Sequence, residues 1–191
     1  GKNLSIRALH LDNQASGQLL GGQTTHLEIV GTLTQRGLID GADTRVQATT
    51  VNNLGTGRIY GDRVAIAAGT LINQEETVGS TRRAATVAGR ERVDLGVNTL
   101  DNRESAWIYS GGDLSIGRTL NAQWHAEGSA GRITNSSCRW RWAACPRRWA
   151  RWMSGWPRAV WMPPPDIQRC VTCSAVMCMS NHCFIVARAA T

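Results

Sequence analysis

The sequence predicts an all-β fold: a right-handed parallel β-helix of roughly 20-residue rungs over residues 1–137, followed by an unstructured tail over residues 138–191. Three observations predict it. A block made of an aliphatic residue and a polar pair containing Asn returns at near-constant spacing. Apolar residues within the blocks alternate with period two. Residues 1–137 hold no Pro, so every backbone N–H is free to pair with a neighbouring rung.

The first block appears as Leu11-Asp12-Asn13-Gln14, Val51-Asn52-Asn53-Leu54, Leu71-Ile72-Asn73-Gln74 and Leu100-Asp101-Asn102-Arg103. Leu33-Thr34-Gln35-Arg36 and Leu120-Asn121-Ala122-Gln123 are weaker copies. The anchors Leu11, Leu33, Val51, Leu71, Leu100 and Leu120 lie 22, 18, 20, 29 and 20 residues apart, a period near 20 with one insertion. A second block follows about eight residues after the first. It reads Ile59-Tyr60-Gly61-Asp62-Arg63-Val64-Ala65-Ile66 in one copy and Ile108-Tyr109-Ser110-Gly111-Gly112-Asp113-Leu114-Ser115-Ile116 in another. The long interval is assigned to extra residues at Glu75–Arg83, where Gly79, Ser80 and Thr81 carry the chemistry of an outer loop.

Val64/Ile66, Leu114/Ile116, Val93/Leu95 and Leu27/Ile29 alternate with polar or small residues, which marks strands buried on one face. No window sustains a 3.6-residue period. Gly, Asn and Asp fall between the strands, where turns need positive φ or side-chain bonds to backbone. Each repeat is therefore read as two or three short strands joined by tight turns. Such a unit cannot bury its apolar face alone, but stacked copies can. Strands of successive rungs then pair in parallel, and the recurring Asn forms an internal ladder in which each amide bonds the next. A twisted β-sandwich is the competing fold. It needs no fixed 20-residue register, and the register favours the helix.

Composition breaks at residue 138. All five Pro, six Cys and four Met lie beyond it. Charge divides at the same place. Residues 1–137 balance 13 Lys+Arg against 13 Asp+Glu, and the tail adds eight Arg and one acid, Asp166. The formal +7 thus belongs to the tail, and the repeat has no basic excess to attract a nucleic acid. No apolar run reaches the ~18 residues of a membrane-spanning helix. The repeat is already running at Gly1, so the chain is expected to be a piece of a longer protein.

The stretches GRIYGDRVAIAAGTLINQ (57–74) and LDNRESAWIYSGGDLSIG (100–117) resemble the haemagglutinin repeats of filamentous haemagglutinin and of contact-dependent inhibition stalks. The resemblance covers nearly all of residues 1–137. It implies a secreted, cell-surface protein exported by an outer-membrane transporter of a two-partner system. It implies a structural or adhesive stalk that meets a host or neighbouring cell, or that carries a toxin to it.

Catalytic and binding chemistry points elsewhere. A carbohydrate-active, pectinase-like β-helix is the alternative function, and it needs two carboxylates ~5–10 Å apart. No Asp-Asp pair occurs. Asp12 and Asp101 share a slot four rungs apart; Asp62 and Asp113 are read as sharing another, three rungs apart, with a role in turns. His10, His26 and His125 have no second ligand at metal spacing and are expected as surface or strand residues. Ser110-Gly111-Gly112-Asp113 is a single turn, not a calcium-binding array, and no Gly-rich turn precedes a helix to cradle phosphate. The expectation is no enzyme, no catalytic, cofactor or metal residue, and no cofactor.

Three readings compete for the tail. One is translation out of the native frame, which yields Arg, Trp, Cys and Pro in this mixture. A second is a membrane-active or nucleic-acid-binding segment, from Arg139-Trp140-Arg141-Trp142 and Arg147-Arg148-Trp149. A third is a zinc site at Cys170, Cys173, Cys178 and Cys183, whose spacing is that of a zinc knuckle without its glycine and aromatic positions. The first is preferred, because no period survives past Ile133-Thr134-Asn135 and Pro163-Pro164-Pro165 interrupts the segment.

Overall fold

The computed structural model describes residues 1–136 and the strand 184–187. They are all strand and connection, with no helix. The strands are β1 (Asn3–Ala8), β2 (Leu11–Asn13), β3 (Gln18–Leu20), β4 (Thr24–Gln35), β5 (Leu38–Asp40), β6 (Asp43–Leu54), β7 (Arg58–Val78) and β8 (Thr81–Ala84). They continue as β9 (Thr86–Arg103), β10 (Trp107–Ser110), β11 (Asp113–Gly117), β12 (Thr119–Leu120), β13 (Ala126–Glu127), β14 (Arg132–Ser136) and β15 (Phe184–Ala187). Thirteen belong to one large sheet whose path runs β1-β4-β6-β7-β9-β10-β15. The pairings along it are parallel. This is the arrangement of stacked repeats that a β-helix or solenoid requires.

Register carries the periodicity into space. Leu11 pairs with Leu33, Leu33 with Val51, Val51 with Leu71, Leu71 with Leu100 and Leu100 with Ile133. These six residues mark rungs one to six. A second apolar column runs Ile6, Leu27, Val46, Ile66, Leu95, Ile116, and a third runs Leu19, Ile39, Ile59, Val87, Ile108. The inner members are fully buried, and the terminal Ile6, Leu11, Leu19 and Ile116 are half-buried against them. Period two explains this directly: alternate side chains leave opposite faces of a strand, and only one face meets the next column. Val64 and Ile66 face the core as expected, and Leu114 and Ile116 pack on it from the last rung.

Three expectations are corrected. First, the sixth anchor is Ile133, not Leu120. Residues 118–131 leave the stack as a second insertion, in which Thr119 and Leu120 pair antiparallel with Glu127 and Ala126. The resemblance of Leu120-Asn121 to the anchor block is local and lacks a partner in register. Secondly, strands are longer than the short segments expected. β7 spans 21 residues and β9 spans 18, because the chain rounds corners through β-bulges at Ile29/Thr32 and Gly61/Arg63 instead of ending in tight turns. Thirdly, the segment expected to be unstructured contains a strand: Phe184–Ala187 pairs in parallel with Trp107–Ser110. Its aromatic and β-branched residues are strand formers. The rest of the tail, with its zinc, membrane and reading-frame interpretations, lies outside the described residues.

The insertion at Glu75–Arg83 is where the spacing put it. It is an antiparallel hairpin of β7 and β8, with Glu75 opposite Ala84 and Val78 opposite Thr81, turning at Gly79 with φ +61°. Antiparallel pairing among the described residues is confined to the two insertions.

Candidate functional site

Inside the stack, the recurring amides meet. Asn13 Nδ2 donates to Gln35 Oε1 at 2.8 Å, Asn53 Nδ2 to Asn73 Oδ1 at 2.7 Å, Asn73 Nδ2 to Asn102 Oδ1 at 2.7 Å, and Asn102 Nδ2 to Asn135 Oδ1 at 2.8 Å. Each amide also holds a corner carbonyl: Asn13 that of Leu38, Gln35 that of Arg58, Asn53 that of Thr86, Asn73 that of Trp107. The ladder breaks once. Gln35, one methylene longer, turns its second N–H to the carbonyl of Gly37, and Asn53 Oδ1 is left buried without a donor. These groups are structural. Their polar atoms face one another and the backbone, not a ligand.

Outside the stack, the carboxylates meet arginines. Asp12 and Asp101 do share a column, through Thr34, Asn52 and Ile72, four steps apart. Asp101 is paired with Arg103. Asp62 and Asp113 do not share a slot. Asp113 aligns with Arg92, Arg63 and Asp43. The reason is the corner: Gly61 and Ser110 both align with Gly89, but one residue, Asp62, rounds the bend in rung four where Gly111 and Gly112 round it in rung six. Asp62 accepts from Arg90 at 2.9 Å and Asp113 from Arg92 at 2.8 Å, so both tie adjacent rungs together at their corners. Glu76 receives a two-pronged bond from Arg36 at 2.8 and 2.9 Å. That bond holds the Glu76 carboxyl below its ordinary value, and burial raises that of its neighbour Glu75.

His10 accepts the amide of Thr32 through Nδ1 at 3.1 Å, beside the first bulge. His125 lies in the second insertion, and His26 meets an aromatic ring there. No cluster of three or more His, Cys, Asp or Glu able to hold a metal ion occurs among the described residues.

The concave feature of this surface was not foreseen from the sequence. The 118–131 insertion folds back across the outward positions of earlier rungs. Its turn is built by Asn121, whose Oδ1 accepts the amides of Gln123 and His125, both at 3.0 Å, and whose Nδ2 donates to Glu127 at 2.8 Å. This turn holds Trp124 at φ +64°, a left-handed conformation that a bulky residue adopts only when its surroundings impose it. The Trp124 ring lies 5.5 Å from His26, edge to face, and 5.3 Å from the Arg45 guanidinium. Beneath it, Asp94 is buried and accepts the amide of Ala126 at 2.9 Å. A groove of about 540 Å³ runs alongside, lined by Gln47, Ala67, Gly96, Arg118, Asn121 and Trp124 among others. Its lining contains no carboxylate, imidazole or thiol, so it has no general acid, base or nucleophile of those kinds to offer. The available signal was the run of small residues at outward positions: Ala65, Ala67, Gly96 and Gly117 lie where the alternation calls for polar side chains.

No family model, no curated protein and no solved structure matches this chain.

Proposed function

We propose that residues 1–137 form a closed, right-handed parallel β-helix that serves as a structural or adhesive stalk segment of a secreted, cell-surface exoprotein, without catalysis. The observation that carries this reading is the uninterrupted parallel register from Leu11 to Ile133, with amides stacked inside it. A stack of this kind supplies length: six rungs at the strand spacing give a rod of ~29 Å. Arginine-paired carboxylates at the corners and a groove without acid–base groups support a non-catalytic role over the pectinase-like alternative. The repeat resemblance supports export through a two-partner outer-membrane transporter and contact with a host or neighbouring cell.

Insertion into the passenger of such a system tests the reading. The segment should pass the transporter and lengthen the surface filament by ~29 Å in electron micrographs. Retention inside the cell, or cleavage of pectin or another glycan that vanishes in Asp62→Asn or Asp113→Asn, would overturn it.

A further inference from the structure

We propose that the 118–131 hairpin is a lateral lock that makes rungs two to six open as one unit. In a stack of repeats each rung touches only its neighbours, so an end can fray rung by rung. The hairpin departs from that rule. It leaves the stack after β11 in rung six and contacts Asp94 in rung five through the Ala126 amide, while Arg118 donates to Asn98 Oδ1 at 2.6 Å. Its tip, Trp124, then reaches Arg45 in rung three and His26 in rung two. The column His26–Arg45–Ala65–Asp94–Ser115 is continuous in register, so the hairpin spans five successive rungs along one face.

The bed is cut to receive it. A Cβ on Gly96 would lie 2.6 Å from the carbonyl carbon of Thr119 and 2.7 Å from Leu120 Cγ. A Cβ on Gly117 would lie 2.5 Å from the Glu127 carbonyl oxygen. Both clashes are with the hairpin itself. Holding Trp124 at positive φ opposes folding of the turn, and the contacts with His26 and Arg45 offset that cost only when the hairpin is down. Opening of rungs two and three therefore requires release of a segment that emerges four and three rungs further on, which joins their opening to that of rungs five and six.

Hydrogen exchange on the full chain tests the lock. Trp124→Ala should lower protection of the β4 and β6 amides around Leu27 and Val46 by roughly tenfold or more, and Trp124→Phe should restore most of it. Gly96→Ala, which lifts the hairpin while leaving its sequence intact, should reproduce the loss and serves if Trp124→Ala does not fold. Changes confined to residues 118–131 in both variants would overturn the lock. The result is independent of the stalk reading, which rests on export and filament length.

Discussion

Asn73 sits at the centre of the amide ladder, and its surroundings set what its loss should cost. It donates to Asn102 Oδ1 and to the Trp107 carbonyl, and it accepts from Asn53. The two amide–amide bonds are buried and the bond to Trp107 is part-buried, so truncation strands Asn102 Oδ1 and the Asn53 amide where water cannot replace the bond. Asn73→Ala should destabilise by about 3 kcal/mol, and Asn13→Ala, in the terminal rung where solvent can enter, by about 1 kcal/mol. Equal costs in urea unfolding would show that the amides act singly. Gln35→Asn is expected to be nearly neutral. It gives Asn53 Oδ1 a donor but loses a methylene, worth about 0.8 kcal/mol, and the bond to Gly37. A second residue-scale effect depends on pH. The carboxyl of Glu76 is lowered from 4.5, chiefly by the hydrogen bond from Arg36. A depressed acid stabilises the fold above its ordinary value, and the contribution is lost as pH falls through the folded value. Glu76→Gln should therefore cost up to about 1 kcal/mol at neutral pH, and that cost should vanish as pH falls through the lowered folded value. Glu75, raised by burial, titrates in both proteins and cancels. A gap in urea midpoints that persists at low pH would mean that Glu76 acts through packing instead.

The two insertions look alike in sequence, as extra residues between anchors, but they behave differently as elements. The β7–β8 hairpin stands out from the stack: Val78 is 68 % exposed and Gly79 has nothing against it. Only its base is tied down, where Glu76 meets Arg36 and lies against Gly55, itself at φ +57°. The part of the Glu75–Arg83 insertion that can be removed is therefore Thr77–Arg82. Replacing those six residues with an Asn-Gly turn should change stability by less than about 0.5 kcal/mol, as read by thermal unfolding. Collapse of the β-sheet circular dichroism would refute the assignment. The 118–131 hairpin, by contrast, lies down on Asp94 and Gly96. The spacing of 29 residues places the first insertion but not the direction in which it folds. The second was missed altogether. Leu120-Asn121 mimicked an anchor, and Ile133-Thr134-Asn135, 33 residues beyond Leu100-Asp101-Asn102, was the true next copy.

At the scale of the molecule, stability should follow the number of rungs. A tandem copy of residues 24–42 adds one rung on the N-terminal side and leaves the spacing from His26 to Trp124 intact, because the copy nearer Arg45 keeps its place. The longer protein should unfold cooperatively with a larger urea m-value, and small-angle scattering should show it lengthened by ~4.8 Å. A copy of only ten residues shifts one rung out of register and should not fold. Equal behaviour of the two insertions would show that register is not what the stack reads.

The sequence by itself determined the all-β class, the parallel register, the buried columns and the amide ladder, because each follows from local chemistry repeated at a fixed interval. Val64 and Ile66 must share a face, and Asn53 and Asn73, 20 residues apart, must stack if their anchors do. It also fixed the first insertion and the balance of charge. Only the tertiary structure decided where the second insertion goes, which arginine each carboxylate meets, and how many residues round each corner. Those depend on contacts between segments with no common period. Trp124 finds Arg45 across 79 positions, and the one-residue bend at Asp62 slips its column away from Asp113. Periodicity propagates along a repeat, whereas a lateral contact is made once, and its partners carry no mark in the chain until the rungs are stacked.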